Sequence, residues 1–162
     1  MRSVLFLLLL LPAAAFCQSR FDEKIRKEAA ALKCPPPEEA RPVTVNAMLV
    51  TDNDSLAVVV KTAILPGWHI YAFVPDNQPY IQLDPILEAP ASLRKAGAWI
   101  KSEPMPSMTD PGVLIYEDQA LFVQKFARTD KAGGKIKAGL YFQCCDIKQC
   151  LPPDETTVQL TF

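Results

Sequence analysis

At Val43 the hydrophobic pattern of this sequence changes its period, and the change divides the chain into a short helix-forming stretch and a long β-forming one. Before it, Phe21, Ile25, Ala29 and Leu32 recur on one helical face, with Ser19 and Asp22 at capping-box spacing, so a helix is expected over residues 19–33. Cys34-Pro35-Pro36-Pro37 ends it, because proline lacks the amide hydrogen and restricts the residue before it. The extended linker that results, up to about Pro42, is a candidate domain boundary. The sequence is silent on whether the helix docks on the β-forming stretch or acts as a spacer.

After Val43 the alternation is that of strands. Val43, Val45, Ala47 and Leu49 alternate with Thr44, Asn46 and Met48; Thr51 to Ser55 supplies turn chemistry; Leu56, Val58, Val60, Thr62 and Ile64 resume the pattern, so a hairpin is expected. Pro66-Gly67 breaks the run before Trp68-His69-Ile70-Tyr71. Four prolines between Pro75 and Pro90 argue for edge segments and loops, and Pro104, Pro106 and Pro111 mark an irregular loop from Ser102 to Gly112. Gln119–Arg128, Lys135–Gln143 and Thr156–Phe162 read as further strands. Many short strands with almost no helical pattern after residue 40 predict an all-β, immunoglobulin-like β-sandwich preceded by a short N-terminal helix and a Pro-rich linker.

The first residues carry a different message. Met1-Arg2, the apolar run Val4–Leu11 and the small residues from Pro12 to Cys17 have the layout of a signal peptide, and the run is shorter than the roughly 20 residues a bilayer span needs. The expected division is therefore 1–17 signal peptide, 18–37 helix and linker, and 38–162 sandwich domain. The product is expected to be periplasmic or otherwise extracytoplasmic, with acylation of Cys17 as the less favoured alternative because Phe16 is bulky for such a site. A formal net charge of −1 without basic runs gives no electrostatic footprint for nucleic acid, and a monomer is expected.

Export places the cysteines where disulfides persist. Once Cys17 leaves with the signal, Cys34, Cys144, Cys145 and Cys150 remain, and the last three are crowded together in a way that stapling a fold would not require. Phasing the preceding strand puts Ile136, Ala138, Leu140 and Phe142 on the core face, so Cys144 continues the buried face and Cys145 the open, accessible one. The connection after it can bring Cys145 and Cys150 together, and Pro152-Pro153 would fix the chain beyond Cys150. Cys34 stays unassigned, either bonded to Cys144 or free. On spacing alone, an inert disulfide in a structural domain competes evenly with a redox pair.

The segment Phe142-Gln143-Cys144-Cys145-Asp146-Ile147-Lys148-Gln149-Cys150-Leu151-Pro152-Pro153 resembles the redox signature of the periplasmic N-terminal domain of the DsbD thiol:disulfide interchange family. Gly67-Trp68-His69-Ile70-Tyr71 and Trp99 followed by Ile115-Tyr116-Glu117-Asp118 resemble two further segments of that family, in the same order, so the resemblance covers about residues 40–162. It implies an immunoglobulin-like fold and a reversible disulfide that carries reducing equivalents to exported thiol proteins. Cys150 would be the thiol that makes mixed disulfides and Cys145 its resolving partner, with Cys144 the alternative because some members space the pair by five residues. Tyr71, Tyr116 and Lys148 would line the site. Met105 and Met108 stand where the family carries an aromatic cap loop, a departure from its pattern. No cofactor beyond the cysteine pair is implied. Electrons would come from a separate membrane protein or thioredoxin-like donor and go to exported thioredoxin-fold acceptors, such as a disulfide isomerase, a cytochrome c biogenesis factor or a peroxidase-like pathway.

Two other readings compete with a carrier. Thiolates near Met105 and Met108 would suit a Cu(I)-binding chaperone, since soft ligands select that ion. A structural sandwich with an inert disulfide is the other. The sole histidine, His69, lies on a strand-like segment and is read as structural; no Gly-rich phosphate loop or Gly-x-Ser-x-Gly motif is present.

Overall fold

The structure is a computed structural model that describes residues 14–162. Of the signal peptide expected over residues 1–17, the first thirteen positions lie outside the described residues. Among the described residues no helix is long and apolar enough to cross a membrane. Helix α1 spans Ala14–Ala31 and so begins ahead of Ser19. Ser19 and Asp22 therefore sit within the helix, because alanine favours it and no breaker separates Ala14 from Phe21.

Twelve strands come after the helix: β1 (Val43–Asp52), β2 (Ser55–Ile64), β3 (His69–Phe73), β4 (Asp84–Glu88), β5 (Leu93–Lys95), β6 (Ile100–Lys101), β7 (Met105–Pro106), β8 (Leu114–Tyr116), β9 (Gln119–Arg128), β10 (Lys135–Phe142), β11 (Cys144–Cys145) and β12 (Asp154–Thr161). They form antiparallel sheets with orders β1-β2-β9-β5, β12-β10-β4 and β11-β3-β8-β7, and β6 adds to β9. The first hairpin closes at Asp52↔Ser55, where Asn53 adopts a positive φ of 51° suited to a two-residue turn. Proline in β4 is tolerated because that strand is the edge of its sheet. Pro66-Gly67 makes a tight turn in which the Trp68 amide donates to the Leu65 carbonyl at 2.9 Å, with Gly67 at φ 86°. This is an immunoglobulin-like sandwich: Val43, Val45, Leu56, Val58, Val60 and Phe122 of the first sheet face Ile136, Ala138, Leu140 and Phe142 of β10, with Ile70, Tyr116 and Cys144 joining from the third sheet.

Alternation predicts one buried face for β1 and β2, yet both faces are covered. Phe21, Ile25 and Ala29 of α1 pack on Val50, Ala57, Val59 and Val123, which point away from the main core. The amphipathic helix thus docks on the outer face of the first sheet, with Lys125 paired to Asp22. Its C-terminus is capped by Lys61, whose Nζ donates to the Leu32 carbonyl at 3.0 Å. The linker is extended, as three prolines dictate, and is tied to β1: Asn46 Nδ2 donates to the Lys33 carbonyl at 2.7 Å and Thr44 Oγ1 to that of Pro35 at 2.5 Å.

Candidate functional site

The chain leaves β10 at Gln143 and crosses into the neighbouring sheet, where Cys144 pairs with Ile70 and Cys145 with His69 across β11 and β3. It then reverses in a short turn. The Asp146 amide donates to the Gln149 carbonyl at 2.9 Å, and Asp146 Oδ1 accepts from the amides of Lys148 and Gln149, each at 2.7 Å. Those two amides hold the Asp146 carboxyl below the usual carboxylate range. The Leu151 amide donates to the Cys144 carbonyl at 2.9 Å, so Cys145 and Cys150 face each other across an antiparallel bridge with Cα atoms 4.0 Å apart, and a disulfide joins them. Gln143 locks the base of this turn: its Oε1 accepts from the Ile81 amide at 2.9 Å and its Nε2 donates to the Leu151 carbonyl at 3.4 Å.

The two sulfurs live in different surroundings. Cys150 is exposed, whereas Cys145 is only 1% exposed. Strand phasing is right that Cys144 and Cys145 face opposite ways, with Cys144 in the main core, but the face carrying Cys145 is not open. A second apolar cluster of Tyr71, Val113 and Ile115, flanked by Val74 and Tyr80, closes over it. The accessible member of the pair is therefore Cys150 and not Cys145. The cover comes from segments 30 or more positions away in sequence, which no local periodicity reports.

Tyr71 links the sulfur pair to a polar network. Its hydroxyl lies 3.9 Å from Cys150 Sγ and 3.2 Å from His69 Nε2. Its ring stacks on Tyr80 with centroids 4.5 Å apart, and the Tyr80 hydroxyl donates to Asp110 Oδ1 at 2.9 Å. Asp110 also accepts from Thr109 Oγ1 at 2.7 Å and Ser107 Oγ at 3.2 Å; these bonds, that of Thr109 foremost, hold its carboxyl low. Burial pushes the Tyr71 phenol far above its ordinary value and pulls His69 below its own, the latter opposed by Glu117, Asp110 and Asp146. The Asp110 bond raises Tyr80. Sequence reasoning gave no site role to His69, Tyr80 or Asp110. Period-two spacing of His69 and Tyr71 is the signal that places them on one face; nothing local brings Tyr80 or Asp110 to them.

The other residues expected at the site are dispersed. Tyr116 faces the main core, edge-on to Phe122, with its hydroxyl bonded to the Ser102 carbonyl at 2.9 Å; Ile115, one position earlier, occupies the face that covers Cys145. Met105 lies in β7, paired with Ile115 on β8, and is 49% exposed, while Met108 is fully exposed and covers nothing. Lys148 is exposed and contributes its backbone amide to the turn. Among the described residues Cys144 has no disulfide partner, and burial, then Asp154, pushes its thiol up to about 11. Cys34 is likewise unbonded, its Sγ donating to the Lys61 carbonyl at 3.2 Å, and burial raises its pKa. Among the described residues no group of three or more His, Cys, Asp or Glu side chains is placed to hold a metal ion.

No family model and no curated protein matches the sequence. Solved structures do match its shape. The N-terminal periplasmic domain of ScsB from Proteus mirabilis aligns with a TM-score of 0.51 and 15% identity, over 79% of this chain and 49% of that one, so this chain spans about half its length. The DsbD N-terminal domain of Neisseria meningitidis in its reduced form aligns with a TM-score of 0.46 and 22% identity, over 83% of this chain and 93% of that one. The DsbD N-terminal domain from the same bacterium, in complex with the PilB N-terminal domain, gives 0.45 and 20%, over 77% and 85%. At such identities the likeness is one of fold, and the fold this immunoglobulin-like sandwich shares is that of the N-terminal periplasmic domain of ScsB.

Proposed function

We propose that the protein is an extracytoplasmic thiol:disulfide interchange domain whose Cys145–Cys150 pair cycles between dithiol and disulfide. The observation that carries this reading is the unequal burial of the two sulfurs: Cys150 is exposed at a tight turn, while Cys145 is 1% exposed beneath Tyr71 and Tyr80. Exchange needs a sulfur that a partner can reach, and burial of the second sulfur directs attack to the first. In the oxidised form a donor thiolate attacks Cys150 Sγ, the Cys145–Cys150 bond breaks, and Cys145 leaves as a thiolate that takes up a proton. A second donor thiol then displaces Cys150, so two electrons and two protons enter the pair. In the reduced form the Cys150 thiolate attacks an acceptor disulfide, and Cys145 resolves the mixed disulfide by re-forming its bond to Cys150.

The sequence resemblance supports the direction, from a membrane or thioredoxin-like donor to exported thioredoxin-fold acceptors. The signal-peptide pattern of the first 17 residues supports an extracytoplasmic setting. Ile147, 92% exposed at the tip of the turn, gives a partner an apolar contact beside Cys150. The test is the reduction potential of the pair, together with partner trapping by Cys145→Ser. A potential near about −200 to −270 mV, within the range of exchange proteins, and mixed disulfides on Cys150 support the proposal. A bond that resists reduction below about −300 mV would mark it as structural and overturn the reading.

A further inference from the structure

The Tyr71 hydroxyl has one proton and two neighbours that compete for it, His69 Nε2 at 3.2 Å and Cys150 Sγ at 3.9 Å. When it donates to His69, its oxygen lone pairs face the sulfur and favour a protonated thiol. When His69 becomes an imidazolium, both ring nitrogens carry protons, Nε2 can only donate to the Tyr71 oxygen, and the hydroxyl proton is released toward the sulfur, where it stabilises a thiolate. His69 holds this position because it is two residues before Tyr71 on β3, opposite Cys145, with its ring edge-on to that of Tyr71 at 5.1 Å between centroids.

We propose that His69 is a positioning residue for the Cys150 thiol, acting through Tyr71 by setting the direction of its hydroxyl proton. The inference rests on Cys150 being the exchanging thiol. The groups that face His69 are Tyr71 on its own strand, the sulfur pair across from it, and the carboxylates of Glu117 after β8, Asp110 in the loop before β8 and Asp146 in the cysteine turn. The carboxylates favour the imidazolium and burial opposes it more strongly, so the switch lies on the acid side of an ordinary histidine. The consequence is a Cys150 thiol whose reactivity does not fall with acidity as a lone thiol's does.

The experiment is alkylation of the fully reduced protein by iodoacetamide from about pH 5 to about pH 9, across the histidine range, with the rate at Cys150 read by mass mapping. On the acid limb the rate is expected to exceed the single-thiol extrapolation by about tenfold, one pKa unit of thiolate stabilisation. His69→Phe and Tyr71→Phe should each abolish that excess, and His69→Gln, whose amide can donate at every pH, should extend the raised rate to the pH range in which the wild-type imidazole is neutral. A wild-type profile that fits a single titration, or an excess that survives either phenylalanine substitution, overturns the proposal. If His69→Phe does not fold, the wild-type profile and Tyr71→Phe decide. Because the protein is reduced chemically and no partner is present, this outcome is independent of the reduction potential that tests the carrier reading.

Discussion

Tyr80 lies flat against Tyr71, their ring planes 11° from parallel and their centroids 4.5 Å apart. One tyrosine belongs to β3 and touches the sulfur pair; the other belongs to a proline-bounded loop and is anchored by Asp110. The stack is what turns a sheet surface into a cover over Cys145.

Removing that cover should expose the buried sulfur. Tyr80→Ala is expected to cost about 1–2 kcal/mol of stability, from the lost stack and its apolar area. It should also speed reduction of the disulfide by a bulky thiol several-fold. Urea unfolding and stopped reduction with glutathione check the two effects; an unchanged reduction rate would show that Tyr80 does not shield the bond.

The turn that closes the disulfide depends on the two amide bonds accepted by Asp146. Asp146→Ala should loosen the turn and make the disulfide easier to reduce, by about 30 mV, which is tenfold in equilibrium constant for a two-electron couple. Asp146→Asn keeps an acceptor oxygen and should shift the potential less. The wild-type carboxyl is held low in the folded state, so its contribution is full above the ordinary carboxylate range and is lost as pH falls through the folded value. Equilibration against dithiothreitol buffers reads both variants.

Cys144 should be silent in the folded protein. Its thiol is 5% exposed and pushed from 9.0 up to about 11, so iodoacetamide at mildly alkaline pH should label Cys150 of the reduced protein and spare Cys144. A raised pKa means that the folded state keeps its proton while the unfolded chain loses one. Stability from this group is therefore complete below 9.0 and is lost as pH rises through about 11. Mass mapping and alkaline denaturation curves of wild type against Cys144→Ala measure it; equal labelling of Cys144 and Cys150 would refute the burial argument.

Gly139 sits in β10 between β12 and β4, opposite Thr157 on one side and Ile86 on the other. A Cβ there would strike the Thr156 carbonyl oxygen and stand 2.7 Å from Thr157 Cα, both backbone atoms that cannot rotate away. Gly139→Ala is expected to destabilise the fold by about 3 kcal/mol, more than an ordinary overpacked site whose neighbours are side chains. Thermal denaturation checks this, and a loss below about 0.5 kcal/mol, the level of a neutral surface change, would count against the strand pairing.

What was legible in the sequence was what periodicity and proline can encode. The β1–β2 hairpin, β9, β10 and the edge placement of β4 derive from alternation, turn residues and the missing proline amide. Leu93–Lys95 and Ile100–Lys101 were not, since strands of two or three residues hold no measurable period and exist only because β9 offers them a partner. The cysteine cluster was visible in the sequence, and its strand phase separated the faces of Cys144 and Cys145 while misjudging the second face as open.

Which face was covered was another matter. Residue-by-residue alternation tells which side chains share a side of a sheet, and no more. Whether that side meets water depends on segments brought in from elsewhere: α1 over Val50, Val59 and Val123, and Tyr80 over Tyr71 and Cys145. The sequence by itself therefore determined the longer strands, the turns between them and the crowding of three cysteines near the end of β10. Only the tertiary structure decided that Cys145 is buried, that Cys150 is exposed, and that His69, Tyr71 and Asp110 meet beside them, because burial and proximity arise from long-range packing that local backbone preference does not encode.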